Sequence, residues 1–511
     1  MISMIHILDA FVAVALIVLV DRILKGNNSR ARTLPPGPEG WPLIGNVLDM
    51  PTSYEWQTFS AWSEKWGDII CVTIFGQPMV ILNSPQHAFE ILDKKGAIYS
   101  DRPVLTMASK MIGREPTIGM LRYSKRHRAM RRLLTQLIGS RENAARFSQH
   151  MESEVYYFLS RVLRQPEAVM KHVRKAAGAF ILKMAYGYQV KDGEDELVDL
   201  AQRAIDVFSF TTTPGAYLVD IFPILEHVPT WMPGAGWKRK ARDWAAELQE
   251  MYDIPYEFTK KQMAAGTAIT SFTSRNLEVN PTDQDQMIQY AAASLYAAGT
   301  DTTVSAINSF FLAMMCYPET QKKAQFEIDS VIGSDRLPVL ADRDQLPYIN
   351  ALCSEVLRWQ PVAPLGMAHS SSQDDYHAGY FIPKGAIIIP NVWKFLHDPD
   401  VYTNPSEFNP DRFIPTSNRE AEPEPRQYAF GFGRRICPGL HLAEASIFLS
   451  CAMSLAVFHI SKPVIDGVTV EPEIKYSSAT ISHPQPFQCS LIQRSAKAEA
   501  LILAMRDESE P

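Results

Sequence analysis

The sequence predicts a mainly α-helical protein with a small β-sheet subdomain, built as one catalytic domain behind an N-terminal transmembrane helix. Three observations predict it. Apolar residues recur at helical spacing through most of the 511 positions. Runs rich in β-branched residues are few and short, and are bounded by Gly and Pro. The first 24 residues hold one nearly continuous apolar stretch. With 46% hydrophobic and 21% charged residues, the composition is that of a packed globule and excludes low-complexity, collagenous and disordered readings. Lys and Arg number 50 against 56 Asp and Glu, for a formal charge of −6. The chain lacks the basic domain that nucleic-acid binders carry, so no nucleic-acid partner is expected.

Ala10 to Val20 is uninterrupted apolar sequence, and extending it back to Ile2 adds only Ser3, His6 and Asp9. About 20 such residues cross a bilayer core as a helix. Arg22, Lys25, Arg30 and Arg32 follow, with no Lys or Arg upstream, so the rest of the chain is expected in the cytosol. Residues 1–24 are therefore read as an anchor; a cleaved signal or a buried soluble helix are the alternatives. Residues 25–40 read as a basic, proline-rich linker, in which Leu34-Pro35-Pro36-Gly37-Pro38 is a stiff hinge. The Asn27-Asn28-Ser29 sequon stays on the cytosolic side. No repeat, Gly/Ser linker or charge block divides 41–511, which is taken as the catalytic domain. Strands are expected at Ile69 to Phe75, Met79 to Leu82, Tyr380 to Ile382 and Ala386 to Asn391, the last two flanking a Pro383-Lys384-Gly385 turn. Helices are expected over Met151 to Leu163, Leu197 to Phe208, Lys238 to Gln262 and Gln345 to Trp359. The longest runs from a cap at Thr282 to Tyr317, roughly 50 Å at 1.5 Å per residue.

The six cysteines, Cys71, Cys316, Cys353, Cys437, Cys451 and Cys489, form no C-x-x-C pair, which suits a reducing compartment. Cys437 stands apart. Phe430 to Gly439 read FGFGRRICPG, and three glycines, a proline and two arginines around one sulfur describe a tight loop that favours thiolate over thiol. The helix expected at Leu440 to Phe458 adds its N-terminal dipole. This is a plausible metal ligand, although a lone cysteine is also often a small buried hydrophobe. In the middle of the long helix lies Ala298-Gly299-Thr300-Asp301-Thr302-Thr303, a run of weak helix formers. It suits either a kink with back-bonded threonines or an acid and an alcohol placed for proton transfer.

FGFGRRICPG resembles the haem-binding pattern F-x-x-G-x-R-x-C-x-G of the cytochrome P-450 family at Phe430, Gly433, Arg435, Cys437 and Gly439. The resemblance implies a haem b whose axial thiolate is Cys437, with Arg435 near a propionate and O2 as co-substrate. A thiolate axial ligand favours O–O cleavage. It also implies that Gly299 leaves space beside the iron, and that Thr302 with Asp301 manages protons. Glu355 and Arg358 resemble the family's E-x-x-R, and Phe408 to Phe413 resembles the segment that supplies a second arginine, Arg412; together they would be a buried support for the cysteine loop. Tyr123 to Arg132 is similar to the W-R-x-x-R helix, with Arg131 at the second arginine and His127 where tryptophan is usual. His369 aligns with another basic position that meets a propionate.

Apolar segments Val104 to Met120, Val207 to Phe222, the segment before Gly299, Val362 to Met367 and the stretch near Ala479 to Ser482 are candidates for the lining of a small-molecule pocket. The aromatic and proline-rich stretch from Phe210 to Trp237 resembles a channel cover that dips into the membrane. No flavin or dinucleotide motif is present, so an NADPH-dependent cytochrome P-450 reductase is the expected electron donor, meeting basic residues at Lys125 to Arg132 and Arg434 to Arg435. The combined expectation is a single-pass endoplasmic reticulum monooxygenase of fungal secondary or xenobiotic metabolism, with its catalytic domain cytosolic, that oxidises apolar molecules such as polycyclic aromatics, terpenoids or steroids. A haem-thiolate isomerase and a haem-based gas sensor are the competing readings.

Overall fold

The computed structural model describes residues 33–507 apart from 192, 214–215 and 280–284. The expected anchor at 1–24, residues 25–32 of the linker and the Thr282 cap lie outside the described residues. Contacts divide the chain into two compact units, each assembled from separated stretches.

One unit takes the described residues through Pro103, Met367–Lys394 and Phe432–Arg434. β1 (Ile69–Ile74) and β2 (Gln77–Leu82) form a hairpin whose turn residues, Phe75 and Gly76, both adopt positive φ. β3 (His369–Ser370), β4 (Asp375–His377), β5 (Tyr380–Ile382) and β6 (Ile387–Pro390) follow. A four-stranded sheet runs β1-β2-β6-β3, with β2 and β6 parallel. The near-continuous apolar sequence of β6 fits its burial along the whole strand. The two strands expected about Pro383-Lys384-Gly385 do form, but they do not pair with each other. β5 pairs with β4, while β6 joins the larger sheet. Gly385, at φ +82, turns the chain, its N–H donates to the Ser371 carbonyl, and Ser371 Oγ donates to the Pro383 carbonyl. The turn is thus pinned to Ser371 instead of closing a hairpin.

The proline-rich segment is not a free hinge. Cys71 N–H on edge strand β1 donates to the Pro36 carbonyl at 2.9 Å, Asn46 Nδ2 donates to Pro38, and Phe381 N–H donates to Thr33. A Cβ on Gly37 would lie 2.2 Å from the Cys71 carbonyl oxygen, so only glycine permits this approach. The ordered body therefore starts before residue 41.

The second unit is helical. Its main members are α1 (Lys125–Ile138), α2 (Ser148–Arg164), α3 (Val169–Tyr186), α4 (Glu196–Thr211), α5 (Gly236–Ala264), α6 (Asp285–Cys316), α7 (Pro347–Trp359) and α8 (Leu440–Val457). Ser124 caps α1 by accepting from His127 N–H, and Asp195 caps α4 through Leu197 and Val198 N–H. α6 and α8 are buried on nearly all sides, which explains their lack of a polar face. Among the described residues α8 alone is long and apolar enough to cross a membrane, but 72% of it is buried inside the protein. It is a core helix.

Candidate active site

Cys437 follows a turn that its neighbours force. Gly431 and Gly433 have φ of +78 and +52, and Cys437 N–H donates to the Phe430 carbonyl at 2.8 Å, closing the loop. A Cβ on Gly433 would meet the Leu92 carbonyl oxygen at 2.5 Å, so this glycine is sterically required. Cys71, Cys353, Cys451 and Cys489 are buried, whereas Cys316 and Cys437 are of intermediate burial. Its thiol sits above the ordinary cysteine range, because burial outweighs the Gly439 N–H and the Arg131 guanidinium, which both favour the anion. Burial thus opposes the two groups that favour thiolate, and a cation at the sulfur would add to their pull. A sulfur with an N–H donor and a guanidinium at hand fits a cationic metal centre.

A charge-balanced quartet lies beneath the loop's approach. Glu355, Arg358 and Arg412 are essentially unexposed. Arg358 grips Glu355 with two bonds, Nε to Oε2 at 2.7 Å and Nη2 to Oε1 at 2.8 Å. Arg412 Nε and Asn409 N–H also donate to Glu355. The remaining Arg358 donors reach the carbonyls of Leu396, Pro405 and Glu407. The fourth member, missed from sequence, is Glu422, 2.6 Å from Arg412 Nη1. Two guanidiniums against two carboxylates leave no net buried charge. Glu422 N–H donates to the Arg412 carbonyl, Tyr402 OH to Pro423, and Ser354 Oγ to Glu424. The quartet thus fixes 422–424, the segment that leads into the cysteine loop.

On α6 the three threonines back-bond: Thr300 Oγ1 donates to Tyr296, Thr302 Oγ1 to Ala298 at 2.7 Å, and Thr303 Oγ1 to Gly299. Thr302 remains half-buried, and its oxygen keeps acceptor capacity. Asp301 is buried and paired: His483 Nε2 lies 3.0 Å from Oδ1. Two mutual bonds with Ser477 hold the His483 backbone. The surface-exposed Asp206 on α4 lies within electrostatic range of both Asp301 and His483; burial raises its carboxyl, and Arg174 opposes that rise. A Cβ on Gly299 would sit 2.7 Å from Ile181 Cδ1, so α6 and α3 approach closely here against the movable end of one isoleucine.

His127 is buried on α1 with Arg131 one turn on, while Lys125, Arg126, Arg128 and Arg132 are exposed. Burial lowers the Arg131 guanidinium and the nearby Cys437 raises it, so Arg131 is placed by its coupling to the sulfur. Arg435 is buried, donating to the Ile118 and Leu121 carbonyls, so it cannot belong to the exposed basic face assigned to it; Arg434 is exposed. Phe430 is half-buried and supplies the loop-closing carbonyl. His369 belongs to the sheet-bearing unit, where its Nδ1 donates to the Tyr99 carbonyl at 2.8 Å. In that unit the buried Arg102, also missed, donates to the Met367 and Ala368 carbonyls. Its only sequence sign is an arginine before Pro103.

Several expected lining segments converge within the helical unit. Ser305 Oγ on α6 donates to the Ser482 carbonyl, Ser482 N–H to Val362, and Thr212 Oγ1 to Thr480 Oγ1. Arg114 donates to the Ala204 carbonyl and lies over the Phe208 ring.

Residues 35–490 match the Cytochrome P450 family model. The chain is similar to Cytochrome P450 monooxygenase 208 of Postia placenta, 61% identical over 99% of each chain. It is 46% identical to Cytochrome P450 monooxygenase claR of Ampulloclitocybe clavipes (97% of this chain, 93% of the relative) and 41% identical to ppsD of Aspergillus oryzae (95% and 92%). The fold and the cysteine loop define a haem-thiolate oxidoreductase. The chain belongs to the cytochrome P450 family, whose members use haem with cysteine-thiolate ligation and O2 for monooxygenation.

Proposed function

We propose that this chain is a membrane-anchored monooxygenase that inserts one oxygen atom from O2 into apolar small molecules, with electrons from an NADPH-dependent flavoprotein reductase. The single observation that carries the reading is the Cys437 loop, braced by the Glu355 quartet. When bound, the haem supplies O2 activation; the rest of the chemistry is the chain's. Cys437 Sγ would hold the iron, and Arg131 and the Gly439 N–H would favour its negative charge. Within the helical unit, Arg435, Arg131 and His127 are assigned to the propionates.

Thr302 Oγ1 and the Asp301 carboxylate move protons that O–O cleavage consumes, and His483 steers and replenishes Asp301 from the side facing Asp206. This intact acid–alcohol pair supports oxygenase over isomerase chemistry.

An apolar substrate fits the convergence of Val362, the 479–482 segment and the 204–212 stretch. Leu218, Phe222, Ile224, Trp231 and Met232 are exposed on a stretch otherwise bound to the fold, which supports contact with a membrane surface near the substrate entrance. The exposed cations of α1 suit an acidic reductase face. With residues 1–24 as anchor, the enzyme resides on the cytosolic side of the endoplasmic reticulum. Reconstitution with a fungal reductase, NADPH and 18O2 tests the reading: one labelled oxygen per product molecule is expected. Turnover that neither consumes NADPH nor incorporates label contradicts it.

A further inference from the structure

The sheet-bearing unit holds a cluster of metal-binding side chains that oxygenation does not use. His87 and Glu90 lie three residues apart, at the junction where the short helix Pro85–Ala88 passes into a π-helical turn, Phe89–Lys94. His377 ends β4. His87 Nδ1 and His377 Nε2 are 3.0 Å apart, and Glu90 Oε2 is 3.7 Å from the same His377 nitrogen. The three donor atoms lie within 4.8 Å of one another.

We propose that His87, Glu90 and His377 bind one divalent transition-metal ion of the zinc class, with water as the fourth ligand. Metal–nitrogen bonds of about 2.0–2.1 Å set the donors of a tetrahedral site about 3.3 Å apart. The two distances to His377 Nε2, 3.0 and 3.7 Å, bracket that value, and His87 and Glu90 lie within 4.8 Å of each other, so side-chain rotations bring all three onto one ion. The His377 side chain is 5% exposed and held by the β4–β5 pairing, whereas Glu90, at 35%, keeps the freedom to swing onto the ion. The two imidazole planes stand at 90° with the nitrogens facing each other. Without metal, a single N–H···N bond satisfies both. On ligation the donating ring moves that proton to its other nitrogen, freeing both lone pairs without net proton release.

Two imidazoles and one carboxylate select Zn2+ or Co2+ over Ca2+ and Mg2+, which take oxygen ligands. The neighbouring Lys95 is neutralised locally, 2.7 Å from Asp375 Oδ2 and bonded to the Tyr376 carbonyl. The bound ion ties the Pro85–Lys94 segment to the β4–β5 ribbon.

The test uses full-length, haem-loaded protein, freed of other metals with a chelator and titrated calorimetrically with ZnCl2. X-ray absorption at the zinc edge then reads the ligands apart from the haem iron. One zinc per chain with two imidazoles is expected. His87→Ala and His377→Ala each weaken binding about 100-fold or more, since even outer partners of a metal site contribute about 10–100-fold; Glu90→Gln weakens it about tenfold on the same scale. An unchanged carbon-monoxide spectrum shows that each variant is folded, and His87→Ala suffices if His377→Ala fails to load haem. Absence of saturable binding, or one-to-one binding that ignores all three substitutions, overturns the proposal.

Discussion

Asp301 Oδ1 and His483 Nε2 stand 3.0 Å apart, joining the middle of α6 to a loop near the C-terminus. A buried carboxylate needs such a partner, and the partner here is an imidazole, whose ring nitrogens can donate or accept. His483→Ala is expected to lower product per NADPH about tenfold or more, by disabling one general-acid route, with substrate KM little changed. His483→Gln separates the roles, because its amide keeps a hydrogen-bond donor but cannot act as a proton-transferring acid or base. If proton supply is the role, the glutamine variant also diverts electrons to hydrogen peroxide and alters the solvent isotope effect. Wild-type coupling in both variants contradicts it.

Glu355 accepts from both Arg358 and Arg412 in a site without solvent. Glu355→Gln leaves the quartet with one uncompensated positive charge, at a cost of about 3–5 kcal/mol. The expected outcome is a lowered denaturant midpoint together with reduced haem per chain, since the quartet braces the route to Cys437. Unaltered haem content with a normal midpoint refutes the bracing role.

Gly299→Ala drives a methyl group toward Ile181 Cδ1. Overpacking of this kind costs about 1–3 kcal/mol. Ile181→Val removes the offending carbon, so the double variant recovers most of the loss. If Gly299 instead makes room for haem, Gly299→Ala shifts the Soret band and Ile181→Val does not rescue it.

Burial raises the Asp220 carboxyl to about 6, against the opposing pull of the Met107 and Thr106 N–H groups. Its Oδ2 is buried without a hydrogen-bond partner. A raised acid binds protons more tightly in the folded state, so stability falls as pH rises from about 4 to 6 and stays at the lower level above. Asp220→Asn keeps the Oδ1 acceptor and removes the charge. Thermal unfolding is expected to show a gain of about 1–2 kcal/mol at pH 7.5 that vanishes near pH 4, after discount for partial solvent contact. A pH-independent difference contradicts this.

Features encoded by neighbouring residues were legible in the sequence. The five fixed positions around Cys437 lie within ten residues, and helices such as Met151 to Leu163 and Lys238 to Gln262 announced themselves by periodicity; they span Ser148–Arg164 and Gly236–Ala264 in the structure. The Glu355–Arg358 pair was legible because helical spacing puts both on one face. What sequence concealed depends on distant partners: His483 for Asp301, Glu422 for Arg412, His377 for His87. The same holds for space, because nothing local says that Ile181 fills the void over Gly299, or that the Cys71 carbonyl crowds Gly37. The burial of the Cys437 thiol was hidden for a related reason. Flanking arginines are visible in a string of letters, while the desolvation that outweighs them is not.

The central claim is that Cys437 supplies the axial thiolate of a bound haem. Reduced protein exposed to carbon monoxide tests it, with Cys437→Ala alongside. The strongly red-shifted Soret band of a thiolate-ligated iron is expected in the wild type and absent from the variant. A wild-type band at the position of histidine-ligated haem, or a red-shifted band that survives Cys437→Ala, contradicts the claim.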